Sequence, residues 1–206
     1  GNPVVEATLS SLADADLDTS SLPGGELPSR FVLATIHRPE NTDSEAALRR
    51  ILDALARLPI PVLFLPHPRT IAAIAHFGLD DLAGQLTIVR PVDHGRFLKL
   101  AVAAELLISD SGGVQEECTI IERPLLVVRA STERPEAMNT GLARLVTPEQ
   151  DLLKLARASL EQRDPPMLGV VHTFGDGRAS ARIALLATLI ADGTTPHAAI
   201  TRIEAT

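Results

Sequence analysis

Leu106-Leu107-Ile108-Ser109-Asp110-Ser111-Gly112-Gly113-Val114-Gln115-Glu116-Glu117 reads as a strand, a tight turn and the start of a helix. Leu106 to Ser109 is a short apolar run, the pattern of a strand buried on both faces. Ser111, Gly112 and Gly113 open the helix that follows. Two glycines at a helix start let the main chain approach a ligand closely. The free first-turn amides and the positive end of the helix dipole attract an anion such as a phosphate. Ser111 adds a hydroxyl donor. Glu117 lies about one and a half turns in, where a carboxylate can accept from ribose hydroxyls, as acids do in dinucleotide folds. No Gly-Lys-Ser/Thr follows, so this is not a Walker loop. No Gly-x-Ser-x-Gly is present, so it is not a nucleophile elbow. An ordinary glycine-rich turn is the bland alternative, and phosphate binding is favoured over it.

Outward from this stretch, apolar runs alternate with helical periods. Towards the amino terminus, Phe31 to Ile36, Val62 to Leu65 and Leu86 to Val89 read as strands. Thr42 and Glu45 form a capping-box pattern. Leu48, Ile51, Leu52 and Leu55 follow at helical spacing, so a helix is expected over roughly 43–58. Further helices are expected at 69–77 and 94–104. Towards the carboxy terminus, Leu125 to Val128 and Arg144 to Val146 read as strands, and 148–162 and 178–191 as helices. Strand and helix thus alternate about six times, which predicts an α/β fold: a Rossmann-like parallel sheet with helices on both faces. Ligands of such sheets bind outside the carboxyl ends of the strands. Residues 8–30 crowd Ser, Asp, Pro and Gly among isolated leucines and read as a linker.

Chemistry-bearing residues gather just after the strands. Thr35-Ile36-His37-Arg38-Pro39-Glu40-Asn41 packs a ring, a cation and an acid into one strand-to-helix turn. It is either an anion or leaving-group site or a polar loop shaped by Pro39. Pro66-His67-Pro68-Arg69-Thr70 is a rigid turn in which His67 is most simply a helix cap. Phe97, on the helix after Arg90-Pro91-Val92-Asp93-His94, is most simply a core residue. Arg129-Ala130-Ser131-Thr132-Glu133-Arg134-Pro135-Glu136 is either a solvated salt-bridge patch or the source of an arginine that clamps a diphosphate.

Composition narrows the classes. The 206 residues are 45% hydrophobic and 22% charged, enough apolar content for a packed core. A formal net charge of −7 argues against a nucleic-acid partner, which needs a basic face. It does not argue against a phosphate ligand held at a locally basic site. The single cysteine, Cys118, excludes an internal disulfide and a cysteine metal cluster, and fits a reducing compartment. The six histidines are scattered, with no pair at ligand spacing, so no metal is expected. No charged leader and no run of about 18 apolar residues is present, so a soluble, cytoplasmic chain with no membrane partner is expected. With no Trp and no Tyr, base stacking would fall to one of five Phe.

Taken in order, Gly1-Asn2, His37-Arg38-Pro39-Glu40-Asn41, Pro66-His67-Pro68-Arg69-Thr70, Asp110 to Glu117, Thr132-Glu133-Arg134-Pro135-Glu136, Gly141 and Phe174-Gly175-Asp176-Gly177 with Ala179 to Ile183 resemble the non-hydrolysing UDP-N-acetylglucosamine 2-epimerase family. The match covers most of the chain. The resemblance implies two Rossmann-like domains, a glycosyltransferase-B-like architecture, with the active site in the cleft between them. This chain resembles the second of those domains. The implied division is an inter-domain segment at 1–30, a UDP-binding domain at 31–177, and at 178–206 a final helix and tail packing towards the absent first domain. That first domain supplies the carboxylates credited with proton transfer.

The resemblance also implies roles. His37 contacts the phosphate and leaving group; Phe97 lies near the uracil. Ser111, Gly112 and Gly113 hold the diphosphate, Glu117 takes the ribose hydroxyls and Arg134 pairs with the diphosphate. Arg38 and His67 match residues that bind a second, activating UDP-sugar in some regulated bacterial members. The implied reaction interconverts UDP-N-acetylglucosamine and UDP-N-acetylmannosamine, in the service of cell-surface polysaccharide biosynthesis. UDP is eliminated to leave a glycal with its double bond between carbons 1 and 2, then adds back with the proton on the other face. No cofactor is implied, a homodimer is expected at full length, and the chain alone is expected to be inactive. The alternatives are a UDP-sugar-dependent glycosyltransferase domain, a non-catalytic UDP-sugar-binding module, and an epimerase of the hydrolysing type.

Overall fold

Val32–Thr35 (β1), Val62–Phe64 (β2), Thr87–Ile88 (β3), Leu106–Ser109 (β4), Leu125–Val128 (β5) and Ala143–Val146 (β6) pair in parallel in the order β3-β2-β1-β4-β5-β6. This computed structural model describes residues 1–16, 22, 26–162 and 173–204. The helices among them are Val4–Asp14 (α1), Pro39–Thr42 (α2), Glu45–Ala56 (α3), Pro68–His76 (α4), Asp80–Ala83 (α5), His94–Ala103 (α6), Gly112–Ile120 (α7), Pro135–Asn139 (α8), Leu152–Glu161 (α9), Ala179–Ala191 (α10) and Pro196–Glu204 (α11). The Rossmann-like α/β expectation is borne out. The four central strands, β2, β1, β4 and β5, are buried from both sides because each side chain layer finds its own helices. Val32, Ala34 and Ile36 meet Leu48, Ile51, Leu52 and Leu55 of α3 and Leu152 and Ala156 of α9. Phe31 and Leu33 meet Leu100 and Ala101 of α6 and Val114 and Cys118 of α7. Full burial of each Leu or Ile contributes about 1.5–3 kcal/mol. Cys118 belongs to this second layer; its thiol is pushed up to about 12, by burial first and then by the charge of Glu117.

The expectation that 8–30 is a linker needs correction in its first part. α1 covers Val4–Asp14, with Val5 and Thr8 buried. Asn2 Oδ1 accepts from the amide of Val4, the first residue of the helix, at 3.0 Å. Leu22 is buried and Leu27 packs beside it in the second layer, while 17–21 and 23–25 lie outside the described residues. Local composition concealed α1 because its stability is tertiary. It lies on α6, and the contact runs over Gly95. A Cβ at Gly95 would lie 2.7 Å from Ala15 Cβ and 3.0 Å from the Ser11 carbonyl oxygen. Gly95→Ala is therefore expected to destabilise the chain by about 1–3 kcal/mol, the cost of overpacking. Elsewhere in a helix the same change would stabilise by about 0.5–1 kcal/mol. The urea midpoint decides between the two signs.

The capping box is also corrected. Thr42 ends α2, its hydroxyl donating to the Arg38 carbonyl at 3.0 Å. Ser44 caps α3 instead, its Oγ accepting from the Ala47 amide at 3.4 Å. The extra turn of α2 arises because Pro39 supplies a helical φ at a first-turn position. At the other end, α10 is mostly apolar but buries only Ala179. Ile183, Leu185 and Ile190 are exposed. The Glu6 carboxylate accepts from the Ser180 amide at 3.0 Å and ties α10 to α1. No helix of the described residues is long and apolar enough to cross a membrane.

Candidate functional site at the strand-order switch

The chain runs outward from β1 in one direction, through β2 and β3, and in the other through β4, β5 and β6. The switch point therefore lies between β1 and β4, whose last pair is Thr35 with Ser109. The two loops leaving that pair diverge and open a crevice. One carries His37 and Arg38, the other Asp110, Ser111 and Gly112.

Asp110 joins them. It is fully buried, and both carboxylate oxygens face the β1 loop. The His37 amide donates to both at 3.0 Å, the Arg38 amide to Oδ2 at 2.8 Å, and Asn41 Nδ2 to Oδ2 at 2.9 Å. His37 Nδ1 lies 2.9 Å from Oδ1. Burial by itself would raise the Asp110 carboxyl, but the bonds from the His37 ring, Asn41 and the two amides outweigh it and hold the group below the usual range. Asn41 Nδ2 also reaches the Val128 carbonyl at 2.9 Å, so the ends of β1, β4 and β5 are stitched together.

Ser111 occupies the N-cap of α7 but its side chain makes no capping bond. Gly112 and Gly113 have no left-handed backbone, and a Cβ on either would meet no protein atom closer than 3.7 Å. Neither conformation nor protein packing therefore requires glycine there, and the bare backbone leaves the first-turn amides open to close approach. The nearest atom to a Gly112 Cβ would be a terminal nitrogen of Arg38. Arg38 Nε is buried with no hydrogen-bond partner among the described residues. A guanidinium with an unused donor, beside a helix N-terminus, has the chemistry to take an anion inside an acidic chain.

The other expected residues ring this point. His67 caps α4, its Nδ1 accepting from the Arg69 amide at 3.2 Å, and its ring centre lies 5.7 Å from that of His37. His67 thus stands beside His37, and Arg38 beside Gly112, rather than in a separate cluster. Glu117 is buried on α7, its Oε1 2.7 Å from His94 Nε2, and His94 Nδ1 lies 3.3 Å from Ser11 Oγ. Phe97, one turn further along α6, is half-buried against the second core layer. Arg134 is turned to Glu116: its Nε donates to Oε1 at 2.6 Å. Asn2 Nδ2 donates to the same oxygen at 3.2 Å, and the Asn2 amide donates to the Phe174 carbonyl at 2.6 Å. Thr132 donates through its hydroxyl to Gln115 Oε1, holding the Arg134 loop against α7. Asp110, Glu116 and His94 lie inside these sequence motifs, but the sequence gives them no role. An acid directly between a strand end and a glycine turn was the available signal for Asp110; nothing local marks His94 or Glu116.

The chain is 31% identical over 199 residues to the UDP-N-acetylglucosamine 2-epimerase of Methanocaldococcus jannaschii, covering 91% of this chain and 53% of that protein. It is 36% identical over 160 residues to the UDP-2,3-diacetamido-2,3-dideoxy-D-glucuronate 2-epimerase of Pseudomonas aeruginosa, covering 75% and 43%. The crystal structure of the Methanocaldococcus jannaschii UDP-GlcNAc 2-epimerase in complex with UDP-GlcNAc and UDP superposes with a TM-score of 0.78 over 91% of this chain and 53% of that one. The chain therefore spans about half the length of the curated relatives it matches. With the model of the UDP-N-acetylglucosamine 2-epimerase family matching residues 1–187, most of the chain, this protein belongs to that family.

Proposed function

We propose that this chain is the UDP-binding half of an enzyme that interconverts UDP-N-acetylglucosamine and UDP-N-acetylmannosamine by elimination and readdition of UDP. The observation that carries the reading is the α7 N-terminus at the switch point, where Ser111 makes no capping bond, with two glycines that the protein itself does not need and the Arg38 guanidinium beside them. The diphosphate would lie on the Gly112 and Gly113 amides and the Ser111 hydroxyl. His37 and Arg38 would face its oxygens from the β1 loop, with Arg134 closing from the α8 side. Glu117 would take the ribose hydroxyls and Phe97 would lie near the uracil. In elimination the sugar C1–O bond breaks and its electron pair leaves with UDP. Cationic and N–H donors preorganised around that oxygen stabilise the charge as it develops, and loss of one such donor typically costs about 10²–10³ in rate. The carboxylates that move the carbon 2 proton would belong to the preceding half of the enzyme, against which the exposed face of α10 would pack. The whole enzyme is read as a cytoplasmic homodimer.

Calorimetry tests the division of labour. The chain should bind UDP, with little dependence on the sugar, and free N-acetylglucosamine should bind far more weakly. Equal or tighter binding of the free sugar would sink the reading. A second substrate is favoured by one observation, the 36% identity to an epimerase of UDP-2,3-diacetamido-2,3-dideoxy-D-glucuronate. The nucleotide end is common to both substrates, so discrimination would arise in the sugar-facing half.

A further inference from the structure

The Asp110 carboxylate decides which nitrogen of His37 carries a proton. Both of its oxygens accept from the His37 amide, and Oδ2 from the Arg38 amide and Asn41 Nδ2, bonds that favour the ionised form and agree with a pKa held below the usual range; an ionised carboxylate only accepts. His37 Nδ1, 2.9 Å from Oδ1, must then be the donor. With Nδ1–H committed, Nε2 is the nitrogen left for a ligand. In the neutral ring that nitrogen presents a lone pair, which an anionic phosphate oxygen repels. In the imidazolium it presents an N–H, a charge-assisted donor. We propose that Asp110 is the positioning residue of His37: it fixes the Nδ1–H tautomer and orientation, so that His37 meets the diphosphate through a protonated Nε2. The proton comes from solvent as the anion binds, and no bond other than that N–H is formed. The inference rests on the reading of His37 as a diphosphate contact.

The surrounding bonds explain why an isosteric amide cannot substitute. Oδ2 already accepts from the Arg38 amide and Asn41 Nδ2, at 2.8 and 2.9 Å. In Asp110→Asn the carbonyl is best kept on that side, which turns the NH₂ towards His37 Nδ1. Nδ1 must then become an acceptor, and the proton moves to Nε2. Asn41→Ala, by contrast, removes a bond to the same carboxylate without touching the ring.

The test is two-bond ¹H–¹⁵N spectroscopy of the ¹⁵N-histidine-labelled 206-residue chain, with His37 assigned by its loss in His37→Gln. In the ligand-free chain with neutral rings, His37 is expected with Nδ1 protonated and Nε2 bare. Asp110→Asn should show the reverse tautomer; its Nε2–H still donates, but Nδ1 now accepts from the amide and the ring loses the charge that Asp110 pairs, so UDP should bind about tenfold or more weakly, with uridine much less affected. Asn41→Ala should keep the wild-type tautomer. A wild-type His37 with Nε2 protonated and Nδ1 bare overturns the proposal, whether or not Asp110→Asn folds. So does an unchanged tautomer in folded Asp110→Asn, which would leave Asp110 a purely structural acceptor. If the tautomers are as expected but UDP leaves the His37 resonances unmoved, the positioning role stands and the diphosphate contact falls.

Discussion

Incubated with UDP-N-acetylglucosamine in heavy water, the 206-residue chain is expected to leave no deuterium at sugar carbon 2. Elimination and readdition on opposite faces need a proton-transfer group on each face of that carbon. The carboxylates around the crevice are already engaged. Asp110 is buried under the His37 and Arg38 amides and Asn41. Glu116 accepts from Arg134 and Asn2, and Glu117 faces His94. Glu40 and Glu133 both lie against Arg129. A working epimerase washes solvent deuterium into that position before the equilibrium visibly shifts, so proton NMR of the recovered nucleotide sugar reads the outcome directly. Incorporation by this chain alone would refute the division of labour. The base would then lie among Glu40, Glu116, Glu133 and Glu136, and glutamine variants of each would locate it.

Gly113→Ala and Arg134→Ala are both expected to weaken UDP binding while affecting uridine much less, but with different consequences for stability. A Cβ at Gly113 would lie 3.9 Å from Ser111 Oγ and 4.0 Å from Glu117 Oε1, ordinary contact distances. The ligand-free chain should therefore tolerate alanine or gain up to about 1 kcal/mol, as glycine removal from a helix allows. The same methyl group stands where phosphate oxygens would approach, so UDP should lose affinity as stability holds or rises. Arg134→Ala removes a charge-assisted donor, worth about 1.5–3 kcal/mol, or roughly ten- to hundredfold in Kd. It also strips Glu116 of its cation and should lower stability. Calorimetry with UDP and uridine, beside thermal unfolding, separates the effects. Equal losses for uridine and UDP in both variants would show that neither residue faces the diphosphate. A drop in Tm for Arg134→Ala with UDP affinity unchanged would make its pairing with Glu116 the whole of its role.

What could be read without coordinates was whatever is local. Leu106–Ser109 and Leu125–Val128 were expected with the bounds they have, because each is built on a compact apolar run followed by turn residues. Their alternation with amphipathic helices was enough for a parallel sheet, since a strand buried on both faces needs helices above and below. The glycine turn at Gly112-Gly113 was legible as an anion site because its physics lies in consecutive residues. Helix α1 was not, because its hold on the fold is the bare backbone of Gly95 beneath Ala15 and Ser11. Nor was the ring of charge partners. His37 and Asp110 stand 73 positions apart, and meet because the strand order places β4 beside β1. His94 and Glu117 are 23 apart and meet because α6 and α7 cover the same core layer with α1 lying against both. Periodicity records which face of an element is buried, not which element lies against it. The residue types and their places at strand ends were therefore determined by sequence alone. Which acid holds which base was decided by tertiary structure, because hydrogen bonds of about 3 Å depend on how the loops are brought together in space.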